Sequence, residues 1–372
     1  MDTLGLFSGC GGLALGMKQA GFNTVKLVEF NKHACASLRK NFGVELVYEG
    51  DVRDFDYVDV NDVKLVTGGP PCQPFSLGGT HRGVNDERDM FPSAIKAIQS
   101  LSPECFIFEN VKGLLRESFS DYFRYILLRL SYPSVARKKN AAWTDHYRIL
   151  QQIEGTTAPE YHVHYKLLNA LEYGVPQSRE RVFIVGFKKD IDWNFPKPTH
   201  SIDALLWSQL ATGEYWERHS QTPNYDFNAD AKRKSLLKKY GFLEPNLKAA
   251  LTVRDVLYNI PNPKSNTLLD GHNFQPGARI YPGHTGSFID LPAKTIKAGN
   301  HGVPGGENML RHHDGSVRYF SVYEAKIIQT FPSDYMISGS WGESLRQIGN
   351  AVPVTLAAVI ASSVYKKLAK HE

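Results

Sequence analysis

The feature that most constrains this chain is an alternation in its first half, where short apolar, β-branched runs are separated by stretches with apolar residues at helical spacing. The runs predict strands near 3–8, 24–28, 45–48, 63–67, 104–109, 163–168 and 181–187, and the stretches predict helices at 12–20, 32–42, 90–101 and 119–130. Phe91, Ile95 and Ile98 mark the buried face of one such helix. Strand and helix in turn build βαβ units and a parallel sheet, so residues 1–190 are expected to form a doubly wound, Rossmann-like α/β domain. With 372 residues the chain exceeds the roughly 250 to 300 at which one core stops growing, which calls for a second domain. After Phe187 the texture turns to Pro, Asn, Gly and His broken by short apolar pieces, and a smaller, irregular domain is expected over 191–345. Helical periodicity resumes with Leu356, Val359, Ile360, Val364 and Leu368, so 350–372 is expected to complete the first domain.

Composition narrows the class. Hydrophobic residues at 42% and charged residues at 22% are enough to bury a core and leave little room for extensive disorder. No uncharged apolar run approaches the roughly 18 residues of a membrane span, and Met1-Asp2 leads into a strand without a basic leader. A cytoplasmic protein with no membrane contact is the expectation. Cys10, Cys35, Cys72 and Cys105 lack C-x-x-C spacing, so neither a metal site nor a disulfide framework is expected. A net charge of +5 permits a polyanionic partner without requiring one.

Four short blocks carry chemistry. Phe7-Ser8-Gly9-Cys10-Gly11-Gly12 follows the first strand and opens the first helix, where glycines allow close approach and the helix N-terminus offers donors. Glu29 at the end of the second strand is placed to accept from a ribose diol, and Asp51 follows the third strand similarly. Together they describe a nucleoside-bearing cofactor, either a dinucleotide or S-adenosylmethionine. Gly68 to Ser76 follows the fourth strand, and its prolines aim Cys72 in a fixed direction, as a nucleophile or as a structural thiol in a proline-rich turn. Glu109 ends the fifth strand as a proton-holding acid or a surface carboxylate. Arg179 and Arg181, two apart before and in the last strand, would hold phosphate or a base carbonyl, or else brace a sheet edge.

Taken in order, these blocks resemble the C5-cytosine DNA methyltransferases of bacterial restriction-modification type. The glycine turn resembles that family's cofactor loop, Pro70-Pro71-Cys72-Gln73 its nucleophile loop, Glu109-Asn110-Val111 its Glu-Asn-Val block and Gln177 to Arg181 its Gln-x-Arg-x-Arg block. Arg318 to Pro332 and Gly349-Asn350-Ala351-Val352-Pro353 resemble its closing blocks. The resemblance covers 1–190 and 290–360, with Gly5, Phe30 and Asn31 as departures around the cofactor loop.

The resemblance implies an enzyme that moves a methyl group from S-adenosyl-L-methionine, leaving S-adenosyl-L-homocysteine, to carbon 5 of a flipped cytosine in double-stranded DNA. It implies Cys72 as nucleophile on carbon 6, Glu109 as acid at N3, Arg181 on the cytosine O2 and Arg179 supporting the loop or a phosphate. It assigns Phe7, Gly9, Gly11, Gly12, Glu29, Asp51, Pro71 and Asn350 to the cofactor, and Gln73, Ser76 and Thr295 to the DNA. A monomer is expected, beside a cognate restriction endonuclease that acts on the same site without a stable complex. An RNA-directed relative, an inert DNA binder and a dinucleotide oxidoreductase are the alternatives, and the last leaves Cys72, Glu109 and Arg181 unexplained. Residues 132–161 read as an insertion, either a solvated surface excursion or a nucleic-acid contact through Arg137-Lys138-Lys139, Trp143 and Tyr147, while Lys232 to Lys239 read as a solvated helix face, and His272-Asn273 and Asn300-His301 as polar clusters suited to base edges.

Overall fold

The computed structural model describes residues 1–58, 60, 62–71, 89–139, 141–224, 228–265, 268–298 and 308–371. These divide into two compact units, the first made of Met1–Leu168, Glu180–Phe195 and Ala357–Glu372, the second of Asn169–Arg179 and Pro196–Leu356.

The first unit runs β1 (Asp2–Leu6), α1 (Gly12–Gln19), β2 (Asn23–Glu29), α2 (Lys32–Phe42), β3 (Val47–Glu49), β4 (Leu65–Gly68), α3 (Phe91–Leu101), β5 (Cys105–Val111), α4 (Ser120–Ser131), α5 (Trp143–Ile153), β6 (His162–Asn169) and β7 (Glu180–Phe187). The strands form one sheet in the order β3-β2-β1-β4-β5-β7-β6. Neighbours from β3 to β5 are parallel and β7 runs antiparallel to β5. Successive side chains leave a strand on opposite faces. On β2, Leu27 therefore packs with Ala14 and Leu38 of α1 and α2, while Val28 joins the larger cluster containing Phe91, Ile95, Tyr125 and Leu128 of α3 and α4. Helices on both faces explain why β4 and β5 read as continuous apolar runs. Phe106 and Phe108 are fully buried, and each such side chain contributes about 1.5 to 3 kcal/mol.

α5 corrects the surface reading of 132–161. Trp143 lies edge-on to Tyr122 with ring centroids 5.3 Å apart, Leu150 is fully buried, and buried His146 exchanges a 3.0 Å hydrogen bond with the Tyr125 hydroxyl. Trp143 and Tyr147 of this segment face inward onto α4, and its basic residues 137–139 stay outside.

The second unit contains β8 (His200–Ser201), α6 (Ile202–Trp207), α7 (Glu214–Arg218), α8 (Ala229–Tyr240), β9 (Lys248–Ala249), α9 (Val253–Leu257), β10 (Ser287–Phe288), β11 (Met309–Arg311), β12 (Val317–Tyr319), α10 (Val322–Ile328) and α11 (Trp341–Asn350). β8 pairs with β9, and β10-β11-β12 make a three-stranded sheet. With so little regular sheet, buried polar groups do much of the fastening. Asp290, 4% exposed, accepts from Tyr215 Oη (2.6 Å), from Arg254 Nε (2.5 Å) and from His313, while Thr252 caps α9 in a reciprocal box with Asp255.

α12 (Val354–Leu368) ends the chain, and from Ala357 onward it belongs to the first unit, where Tyr365 meets Phe22 edge-on at 5.1 Å and Ser363 Oγ accepts from Trp193 Nε1. By length and hydropathy 341–368 could span a membrane, yet 61% of an apolar 18-residue window within it is buried in the protein. α11 stops at Asn350, and α12 resumes only beyond Pro353.

Candidate active site

In a parallel sheet the carboxyl ends of the strands share one edge, where open α/β folds place ligands. β1 ends there at Leu6 and the chain enters the glycine turn. Phe7, Gly9 and Gly11 adopt positive φ values of 51°, 54° and 88°, and Gly11 precedes α1 in the left-handed region. A glycine is needed at Gly11 to turn the chain this sharply, and a side chain added at Gly9 would meet only open space. No side chain caps α1 and no acid occupies its first turn. The next strand end supplies the brace. Glu29 Oε2 accepts from the Gly9 amide at 2.7 Å, and Oε1 accepts from the amides of Phe30 and Asn31. Asn31 then caps α2 through His33 and Ala34. Phe30, 76% exposed, leaves an aromatic face beside this carboxylate. Asp51 is held below the usual carboxylate range by hydrogen bonds from Arg53.

β4 ends at Gly68, and Gly69-Pro70-Pro71 follow. Asn110 Nδ2 donates to the Pro70 carbonyl at 3.0 Å, and the Met90 amide donates to the Pro71 carbonyl at 3.1 Å, so both stems of segment 72–88 are fixed. Sequence reasoning attached Asn110 to a block without giving it this task. A Cβ at Gly69 would sit 3.2 Å from Glu109 Oε2, so a side chain there would press on the acid. Glu109 is 8% exposed and forms an ion pair with Arg181, Nε to Oε1 2.8 Å. The antiparallel register brings them together, since Glu109 lies opposite Phe183 and Val111 opposite Arg181. Burial pulls the Arg181 guanidinium below its ordinary range and Glu109 pushes it back up.

Arg179 and Arg181 take separate partners despite their two-residue spacing. Arg179, 1% exposed, belongs to the second unit and donates to the carbonyls of Ile296 (3.2 Å), Gly349 (2.6 Å) and Ala351 (3.0 Å). Gln177 works beside it, donating to Gln329 and accepting from the Ile296 amide. Thr295 Oγ1 donates to the Ser178 carbonyl at 2.8 Å, and Asn350 is exposed at the end of α11. His272 is buried, with one ring nitrogen on Ser321 Oγ and the other on the Pro261 carbonyl. That corrects its reading as a base-edge group, because both of its polar atoms are already occupied.

Cys72, Gln73 and Ser76 lie outside the described residues, as do Asn300 and His301. The three described thiols are unsuited to nucleophilic work. Burial pushes Cys10 and Cys35 up to about 12 and raises Cys105 well above its ordinary value. Among the described residues no group of three His, Cys, Asp or Glu is placed to hold a metal ion.

Comparison with known proteins agrees with this geometry. The family model of C-5 cytosine-specific DNA methylases matches residues 1–132 and 138–366. Type II methyltransferase M.NgoFVII of Neisseria gonorrhoeae is 31% identical across 99% of this chain and 89% of its own length. Type II methyltransferase M.AplI of Arthrospira platensis is 32% identical across 97% and 85%. Among solved structures, the S. pombe Dnmt2 methyltransferase superposes with a TM-score of 0.56 at 18% identity, covering 100% of this chain and 99% of its own, which shows a shared fold. A seven-stranded sheet with its glycine turn, acid and arginine on one edge, and a family match over nearly the whole length, make this chain a member of the C-5 cytosine-specific DNA methylases, enzymes that transfer a methyl group from S-adenosylmethionine to carbon 5 of cytosine.

Proposed function

We propose that the chain is the modification arm of a restriction-modification system, a cytoplasmic monomer that methylates one cytosine within a specific duplex sequence. The observation that carries the chemical part is the Glu109–Arg181 pair beside the clamped exit of β4. Cys72, the first residue after that exit, adds its thiolate to carbon 6 of a flipped cytosine, and a carbon–sulfur bond forms as the ring becomes an enamine. Charge builds toward N3 and O2 of the ring. Arg181 holds O2, and Glu109, which takes up a proton when cytosine binds, donates to N3. S-adenosylmethionine, when bound, supplies an electrophilic methyl group. Loss of the carbon 5 proton, return of the N3 proton to Glu109 and elimination of Cys72 as thiolate restore the aromatic ring.

The glycine turn fits the cofactor's polar end, with open space at Gly9 and an uncapped α1 N-terminus. Phe7, Gly11, Gly12 and Pro71 complete that site in this reading, Glu29 and Asp51 take the ribose and adenine donors, and Phe30 offers its ring. Arg179 is a positioning residue whose three carbonyl bonds hold the Ile296 and Gly349–Ala351 segments. Residues 1–190 and 350–372 form the catalytic domain and 191–345 the target-recognition domain, with Gln73, Ser76 and Thr295 toward DNA. A paired endonuclease would share the site without a stable complex. Cys72→Ala tests the assignment: methyl transfer to duplex DNA should vanish while calorimetric binding of S-adenosylhomocysteine stays within a few-fold. Methylation persisting in that variant would remove Cys72 from the reaction.

A further inference from the structure

One feature of the second unit plays no part in this chemistry. α8 carries Lys232, Arg233, Lys234, Lys238 and Lys239 against a single acid, Asp230, and of its twelve residues only Leu236 is buried. A helix this polar has no face to bury and depends on anchors. Leu236 is one, and Asp203 of α6 is another, accepting from Lys239 Nζ at 2.6 Å and from Tyr240 Oη at 2.8 Å. Beyond Gly241, at φ 64°, the chain presents Phe242 and Leu243, which are 99% and 78% exposed. Two adjacent large apolar side chains projecting into water are unfavourable unless a partner covers them. The cations behind them favour a polyanion, and Glu244 is the acid that follows the tip.

We propose that α8 and the Phe242–Leu243 tip form an accessory contact to duplex DNA, with Arg233, Lys234 and Lys238 on phosphates and Phe242 as an apolar wedge in the groove. Lys234 and Lys238 lie one helical turn apart and share a face. Apolar wedges insert between base steps and enlarge the surface the duplex presents to the protein. The proposal rests on the chain being a DNA methyltransferase, and it adds residues that the reaction itself does not require.

Two variants separate the parts. The triple change Arg233→Gln, Lys234→Gln, Lys238→Gln should weaken cognate and unrelated duplexes alike and lower the salt slope of binding by roughly 0.9 for each phosphate no longer neutralised. Phe242→Ala with Leu243→Ala should raise the DNA Kd on the order of 10-fold while leaving the salt slope and the saturating single-turnover rate unchanged. Parent methylation of the same duplex, measured alongside, tests the underlying reading by itself. If the parent methylates normally and both variants bind like it, the accessory contact is overturned alone. A parent that sediments as a dimer which the Phe242→Ala, Leu243→Ala variant dissociates would also overturn it, by assigning the tip to self-association.

Discussion

The two units each contain a buried carboxylate–arginine pair, and the pairs are built differently. In the first unit Glu109 meets Arg181 at the open edge of a sheet whose stability comes from apolar packing on both faces. In the second, Asp290 is gripped by Arg254, Tyr215 and His313 within a unit that has little sheet of its own. A pair that the fold can do without is available for chemistry, whereas a pair that ties α7, α9 and the β10 region together is committed to structure. Removing one partner of a buried pair should then have opposite signatures in the two places.

The largest effect is expected at Glu109. Glu109→Gln keeps the shape and removes the proton donor, and should slow single-turnover methylation by about 10² to 10⁴-fold with a small shift in Tm. A rate within a few-fold of the parent would reassign the residue. Asp290→Asn should invert that pattern, destabilising the protein by about 3 kcal/mol in urea titrations while the folded enzyme keeps its rate. The same pair sets a pH dependence. Burial pushes Asp290 up, but bonds from Arg254, Tyr215 and His313 outweigh it and hold the carboxyl below its ordinary value. Its stabilisation is therefore complete above about pH 4 and disappears as pH falls through the depressed value, so the acid-unfolding midpoint should rise in the Asn variant. An unchanged midpoint would separate the network from stability. The smallest effect sharpens the picture of the first unit. Ser102 ends α3 in the left-handed region at φ 46°, and its side chain accepts an exposed bond from Lys188. Ser102→Gly should stabilise by up to about 1 kcal/mol, read by thermal unfolding.

Much of the first unit was legible in sequence because two-residue alternation and helical spacing report directly on which face is buried. The seven predicted strands fall on β1 to β7, and the four helices on α1 to α4, within a few residues. Glu109 could be found because a charge closing an apolar run has few explanations. Its partnership with Arg181 could not, since it depends on the register of an antiparallel strand about seventy residues away. Trp143 and Tyr147 were misjudged for a related reason. They follow a basic, loop-like segment, and only the packing of α5 on α4 shows that they face inward. In the second unit the fastening residues are widely spaced polar groups, as with Tyr215 and Asp290, and no periodicity announces them. The same holds for Arg179, whose carbonyl partners lie 117 to 172 positions away.

The most direct test of the account is covalent trapping on DNA carrying 5-fluorocytosine at the methylated position, where fluorine cannot leave as a proton does. With S-adenosylmethionine present, the parent and Asp290→Asn should form a denaturant-stable complex, Glu109→Gln should form it far more slowly, and Cys72→Ala should form none. A complex that Cys72→Ala still forms, or that Asp290→Asn loses while folded and Glu109→Gln forms at the parent's rate, would contradict it.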